Sequence, residues 1–466
     1  MRGVLSFIIE GLLPSLTRAR LFVLLVVLAT LAGFLPASMW AQSSAPNSQD
    51  KTIDTRMQLE IIDSVSQSLK EIYVFPEVAG KMEQFLKEQY KNKKYKDITS
   101  LDRFTKKLTE DLQAISHDKH LWVRFASDEI LARYQSDTLT DEAKKRELEE
   151  RRRDNFCFKE VKLLDGNIGY IDFRCFSGAE DAGPTAIAAM SFLAYADAII
   201  FDLRQNGGGE PSMIQFITSY LLKEPTHLNS FYIRKSDSTQ QFWTQAYVQG
   251  PRLTNTDIYV LTSSYTFSGA EEFTYNLKNL KRATIIGETT GGGAHPTDLK
   301  AFYNLNVGMS LPFGRAINPI TGTNWEGTGI TPDIQVPQER ALRVAHSEAL
   351  KKLLQKTTDE KGKQELSWSI EALKTLLDPA KVDVELMKKY AGKYGPRTVI
   401  LENGELYYQR EERPKYKMIP MSQDTFMFDE LRYFRIKFVT DPDGHVTEVI
   451  GLYDNGRSDS SPRTSD

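Results

Sequence analysis

Ser268 stands between Phe267 and Gly269, where an apolar strand at 257–261 gives way to a helix running to about Leu280. That position puts a hydroxyl at the carboxyl end of a strand, where open α/β sheets build their sites. The helix N-terminus stabilises negative charge near the hydroxyl by ~0.3–1 kcal/mol. The Gly269 N–H is a helix-start donor available to an oxyanion. The same serine also reads as a plain helix N-cap. Gln205-Asn206-Gly207-Gly208-Gly209 follows a second buried strand at 198–202 and opens another helix. Its glycines let backbone N–H groups turn toward a ligand. An oxyanion donor, a phosphate cradle and a simple tight turn all fit. The spacing is not GxGxxG, and no GKS or GKT follows, which disfavours a nucleotide reading.

Three histidines are candidate bases: His117 and His120 near the end of an N-terminal helical stretch, and His295 in the second Gly-rich loop, 287–295. Each also reads as an ordinary packed or surface histidine, and His295, beside Pro296, reads most simply as surface. Glu326 lies in the turn-rich run Trp325-Glu326-Gly327-Thr328-Gly329. A carboxylate there suits the orienting of an imidazole, or it is a loop acid.

These residues need elements to hold them. Ile62, Val65, Leu69 and Ile72 share one helical face, as do Leu101, Phe104, Leu108, Leu112 and Ile115, with Ser100 as N-cap. The expected units are a linker at 42–53, a helical domain at 54–127, a charged connector at 128–155 and an α/β core at 156–337. A helical linker at 338–380, a small antiparallel β domain at 381–456 and a disordered Ser-rich tail at 457–466 follow. In the core, strand-like runs at 156–164 and 168–176 flank Asp165-Gly166-Asn167, a hairpin signal, and strands then alternate with helices, implying parallel crossovers. In the β domain, Asn403-Gly404 and Asp443-Gly444 mark hairpins of what reads as a half-barrel. Its Tyr407, Tyr408, Tyr416, Phe426, Phe428, Tyr433 and Phe434 read as core ahead of a ligand surface.

Length and composition bound the rest. The chain has 466 residues, enough for about three domains. Apolar residues make up 41% and charged residues 26%, a globular mix. A net charge of −3 gives no electrostatic draw to nucleic acid. Neither CxxC nor HExxH occurs, so no metal site and no cofactor is expected. The two cysteines, Cys157 and Cys175, fall opposite one another if the hairpin is regular, which puts them within disulfide reach. The same register opposes Glu160 and Asp172, which is unfavourable, so both outcomes stay open. At the N-terminus, Arg18 and Arg20 precede a 15-residue apolar run at 21–35, then small residues to Ala41. This is the layout of a secretory signal over 1–41, or of an uncleaved anchor. Either way the remainder is expected to be exported, with membrane contact only if the segment is retained.

Five segments, in order, resemble the S41 serine peptidases: Asn167-Ile168-Gly169-Tyr170-Ile171, Asp202-Leu203-Arg204-Gln205-Asn206-Gly207-Gly208-Gly209, Thr262-Ser263-Ser264-Tyr265-Thr266-Phe267-Ser268-Gly269-Ala270-Glu271, Gly287-Glu288-Thr289-Thr290-Gly291-Gly292-Gly293 and Glu326-Gly327-Thr328-Gly329-Ile330-Thr331-Pro332-Asp333. With the helical lead-in they span about 54–337. The resemblance implies a ClpP/crotonase-like α/β core with Ser268 as nucleophile. The processing proteases of that family use a lysine about 25 residues after the serine. Here that point is Gly293, followed by Ala294 and His295. About 30 residues separate Phe125 from Phe156, too few for the PDZ domain those proteases carry. The chain is therefore similar to the branch of the tricorn core and the interphotoreceptor retinoid-binding modules. That likeness implies His120 as base, Glu326 as its partner, and an oxyanion hole from the N–H groups of Gly269 and of Gly208 or Gly207. Where the tricorn core has a serine before the histidine, this chain has Lys119. The expected function is peptide-bond hydrolysis through an acyl-enzyme, with peptides or proteins as partners. A non-catalytic module for an apolar ligand and an esterase using the same residues are the alternatives.

Overall fold

The computed structural model describes residues 50–135 and 141–465; the expected signal or anchor at 1–41 lies outside them. Helices α1 (Thr55–Ile72), α2 (Pro76–Lys91) and α3 (Leu101–Ser116) come first. Asp54 caps α1 by accepting from Met57 N at 2.8 Å, and Ser100 caps α3 by accepting from Arg103 N at 3.1 Å. Pro76 begins α2, where its missing N–H is no loss. Ile62, Val65, Leu69, Phe104, Leu108 and Leu112 form one core. The expected linker already joins it at its end: Ile53 is buried and Thr52 pairs with Ser100. An apolar residue beside the first cap is drawn in by burial, which composition alone did not show.

The core of the helical part is completed by residues from outside 54–127, among them Val307, Met309 and Leu311. Strand β1 (Trp122–Phe125) leaves it, and the charged connector follows as α4 (Asp128–Gln135) and α5 (Asp141–Arg153). A hairpin of β2 (Phe158–Leu164) and β3 (Ile168–Phe173) comes next, turning through three residues. Glu160 does oppose Asp172. Lys162 at 3.0 Å from Glu160 and Arg174 at 3.1 Å from Asp172 offset the repulsion. Cys157 and Cys175 are joined as a disulfide. Just before β2, Asn155, Phe156 and Cys157 take φ of 50°, 51° and 68° in succession. Left-handed backbone costs a non-glycine residue ~1–2 kcal/mol each.

The core continues with α6 (Ala179–Phe192), β4 (Ala198–Asp202), α7 (Pro211–Leu221), β5 (His227–Ile233), β6 (Ser238–Trp243), β7 (Asp257–Thr262), α8 (Gly269–Asn279) and β8 (Ala283–Gly287). Then come β9 (Thr297–Phe302), β10 (Val307–Pro312), β11 (Gly314–Ile317), β12 (Ile334–Gln335), α9 (Gln338–Lys356) and α10 (Glu360–Leu377). The main sheet has the order β12-β8-β7-β4-β3-β2 and is parallel except for β2. Strand β4 shows why it is apolar throughout. Ile199 and Phe201 face α6, α7 and α8, while Ala198 and Ile200 face α9 and α10. The helical stretch at 338–380 is built as two helices, because Asp359 caps a new start by accepting from Gly362 N at 2.7 Å.

Strands β9 to β11, absent from the sequence reading, do the long-range work. β1 and β9 both pair antiparallel with β10. Leu121, Val123, Val307, Met309 and Leu311 join the core of α1–α3. The residues just ahead of β1 and just ahead of β9 are thereby brought to the same end of β10.

The C-terminal part opens with α11 (Val384–Tyr390) and continues as β13 (Gly392–Tyr394), β14 (Arg397–Glu402), β15 (Glu405–Arg410), β16 (Tyr416–Lys417), β17 (Ile419–Pro420), β18 (Thr425–Met427), β19 (Phe434–Thr440), β20 (Val446–Tyr453) and β21 (Ser458–Ser465). These strands form one sheet of nine in the order β16-β15-β14-β13-β21-β20-β19-β18-β17. Its two end strands are separated in the chain only by Met418, so the sheet curls to a near-barrel and not a half-barrel. Tyr408, Phe426, Phe428 and Phe434 fill it, while Tyr433 is exposed. The tail is not disordered. β20 and β13 each present an edge, and 458–465 satisfies both. Arg397, almost fully buried, binds Asp459 at 2.6 Å and Ser461 at 2.8 Å. Among the described residues no helix is long and apolar enough to cross a membrane.

Candidate active site

Ser268 is the N-cap residue of α8, with φ 52° and ψ −121°. Such a backbone costs a serine ~1–3 kcal/mol and persists only where its surroundings impose it. They do so on both sides. The loop from β7 is stitched to the end of β4: Thr266 Oγ1 donates to Leu203 O at 2.8 Å, Ser263 Oγ to Arg204 O at 2.6 Å, and Phe267 N to Asn206 O at 3.2 Å. On the helix side, Glu271 reaches back and accepts from Ser268 N at 2.9 Å. The same carboxylate accepts from Gly292 N at 2.7 Å and Gly293 N at 2.8 Å, and also from Thr290 Oγ1. Burial pushes the Glu271 carboxyl up to about 7 against those four donors. Its signal in the sequence is the third position after an N-cap serine.

The Gly-rich loop after β4 lies directly on the nucleophile candidate. Gly208 has φ 110°, and a Cβ there would fall 2.7 Å from Gly269 N and 2.8 Å from Ser268 Cβ. Asn206, fully buried, shapes the turn: its Nδ2 donates to Phe173 O at 2.9 Å, and its Oδ1 accepts from Gly208 N at 2.9 Å. The Gly208 N–H is thus engaged within the loop. Gly207, Gly209 and Gly269 direct their N–H groups to no partner among the described residues. Asp202 and Arg204 serve structure: the bidentate pair ties the end of β4 to Tyr170 and to the start of α9.

His120 arrives from the other side, two residues before β1. Its ring lies on Phe267, centroids 4.6 Å apart. The Ser268 hydroxyl makes no hydrogen bond to the imidazole. His120 Nδ1 is sealed from solvent and has no hydrogen-bond partner. Burial pushes the imidazole down to about 4, although Asp118 pulls the other way. Glu326 Oε2 accepts from Ala294 N at 2.5 Å, while Oε1 is sealed and without a partner. Burial, with the charge of Asp118, pushes its carboxyl up to about 7. Asp118, His120 and Glu326 present ligand-type atoms within 4.8 Å of one another. The oxygens of Asp118 are already taken, by His120 N at 3.0 Å, Tyr73 Oη at 3.2 Å and His295 Nδ1 at 2.7 Å. That occupancy suits proton handling better than metal ligation.

His295 departs from the surface position expected of it. It is 5% exposed, not a surface histidine, and it also stands 3.5 Å from Glu326. Burial lowers its pKa, but the Asp118 carboxylate outweighs this and raises it overall. Asp118 is a site residue that the motifs do not announce. An acid two residues before His120 and next to the apolar positions 121 and 123 carries a signal, because a charge placed in a core demands a partner. His117 caps α3 in left-handed conformation and is exposed.

Glu272, next along α8, is 3% exposed, and burial pushes its carboxyl up to about 7. A raised acid stabilises the fold fully below its unfolded value of 4.5, and that contribution is lost as pH rises through about 7. The rise corresponds to at most ~3 kcal/mol. Urea denaturation at pH 5 and pH 8 should therefore show Glu272→Gln losing less stability than the wild type across that interval. Equal losses would mean the group does not titrate there.

The description "Peptidase family S41" matches residues 167–336, and "N-terminal domain of Peptidase_S41 in eukaryotic IRBP" matches 49–158. Together they span more than half of the chain. Solved structures similar to it include a photosystem II D1 C-terminal processing protease, 16% identical over 61% of this chain and 94% of that one, TM-score 0.40. A lipoprotein from Streptococcus agalactiae is 17% identical over 64% and 96%, TM-score 0.41. The tricorn protease is 15% identical over 69% and 37%, TM-score 0.39. With a strand-end serine, a glycine loop packed on it and a buried histidine–carboxylate group beside it, the chain belongs to peptidase family S41.

Proposed function

We propose that the protein is an exported serine peptidase in which Ser268 attacks the peptide carbonyl, His120 is the general base and Glu326 steadies the imidazolium. One observation carries this reading: His120 and Glu326, 206 positions apart in the chain, are gathered into one cluster, His120 lies on Phe267 next to Ser268, and each of the two keeps one sealed polar atom without a partner. Pairing Nδ1–H with Oε1 would satisfy both and leave Nε2 for the serine. Burial keeps His120 neutral at pH 7, the state a base requires.

His120 takes the Ser268 proton as Oγ bonds to the carbonyl carbon. The oxyanion goes to Gly269 N–H and to the loop Gly207–Gly208–Gly209, where Gly208 serves only if it turns from Asn206. The imidazolium then protonates the leaving amine, and water, activated by the same base, hydrolyses the acyl-enzyme. Export is supported by the apolar run at 21–35 behind Arg18 and Arg20, and by the disulfide, which needs an oxidising compartment. The substrate is a peptide or protein segment.

A fluorophosphonate probe tests the reading. Labelling mapped to Ser268 and lost in His120→Ala supports it. No labelling, with an apolar ligand co-purifying, would favour the binding module; labelling with ester turnover alone would favour an esterase.

The acid limb of kcat/KM should reflect Glu326, which must be ionised to balance the imidazolium. Activity is expected to rise with pH through about 7. Glu326→Gln should flatten this limb and lower kcat/KM by about 10²–10⁴. A variant keeping both the limb and the rate would remove Glu326 from the set.

A further inference from the structure

The disulfide lies close behind the candidate oxyanion loop. Cys175 is followed by Phe176, whose N–H donates to Gly208 O at 2.8 Å and whose carbonyl accepts from Glu210 N at 2.7 Å. Phe176 and Gly209 form a parallel bridge. The approach is so close that a Cβ on Gly209 would sit 2.3 Å from Phe176 O. Segment 174–177 is thus a strap with Gly208 and Gly209 along one edge. Its other edge is held at Cys157, through Arg174 N to Cys157 O at 2.9 Å and the disulfide itself. Ser177 Oγ adds a contact to Phe156 O at 3.4 Å. The anchoring turn is the run of three left-handed residues, Asn155 to Cys157, which relaxes unless something holds it. Both cysteines are partly exposed.

We propose that the Cys157–Cys175 disulfide is a thiol-responsive positioning element for the Ser268 site. Closed, it holds the strap against Gly208 and Gly209 and fixes the oxyanion donors. Opened, the left-handed turn relaxes, the strap loosens and the loop loses its alignment. This rests on the serine-peptidase reading above. Opening is ordinary exchange: a dithiol thiolate attacks one sulfur, the second thiol of the reagent resolves the mixed disulfide, and two cysteine thiols and an oxidised dithiol result. A chain still in a reducing compartment would accordingly hold its peptidase activity down until the cross-link forms.

The test uses the full chain, oxidised or fully reduced with dithiothreitol, with the redox state read by mass. Reduction should lower kcat at least about tenfold, the scale of a partly misplaced oxyanion donor. KM should stay within about twofold, circular dichroism at the assay temperature should be unchanged, and reoxidation should restore kcat. The Cys157→Ser/Cys175→Ser double variant should show the low kcat and no response to the reagent. Unchanged kcat after complete reduction, or loss of kcat only in step with unfolding, overturns the proposal alone. An oxidised wild type without Ser268-dependent turnover overturns the peptidase reading and this proposal with it.

Discussion

Ser268→Ala should fold as the wild type does and lose peptide turnover by a factor of about 10⁴ or more. The substitution removes the one atom that forms the covalent intermediate. It leaves Glu271, the glycine loop and the imidazole in place. The lost N-cap oxygen costs about 1 kcal/mol, too little to unfold a domain of this size. Binding and oxyanion donors alone leave a small residual rate, so the measurement is steady-state turnover of a peptide library beside circular dichroism. Full activity in the folded variant would end the assignment of nucleophile.

Gly208→Ala should cost about 10²–10³ in kcat while keeping the serine chemically intact. Two effects act together. The φ of 110° is one that a residue with a Cβ rarely adopts, and the new methyl would press on Gly269 N at 2.7 Å and on Ser268 Cβ at 2.8 Å. Both partners are backbone or tied to it, so neither yields cheaply. The loop must back away from the serine, taking its N–H groups with it. Gly183→Ala is the control, since a Cβ there meets nothing within 4 Å. If Gly208→Ala turns over like Gly183→Ala, the loop has no part in the chemistry.

How far the sequence announces this depends on how local each signal is. Ser268 and Gly208 are legible because strand, tight turn and helix start are neighbours in the chain. Val65 and Leu108 are legible as core because burial leaves a helical period, and Phe201 because it sits in a short run that is apolar on both faces. The meeting of His120 with Phe267 and Glu326 is not local. It depends on β1 and β9 both choosing β10; Val307, Met309 and Leu311 alternate along β10, but β9 mixes Asp298 and Lys300 with Leu299 and Phe302, and an alternation does not name the strand's partners. Family likeness, not periodicity, pointed to residues 120 and 326. The pairing of Asp118 with His295 escaped because a loop histidine beside a proline looks solvated until its acid is known. The final strand escaped because Ser458–Ser465 is polar, and only the two waiting edges give its backbone a reason to extend.

That final strand has a consequence for anyone trimming this molecule. β21 is the middle strand of the nine, between β13 and β20. Cutting the chain before Ser458 would not shave a loose end; it would unzip the small barrel down its centre, leaving two four-stranded ribbons with bare flanks and Arg397 stripped of its counter-charge. The residues that look most expendable by composition are the seam that shuts the module.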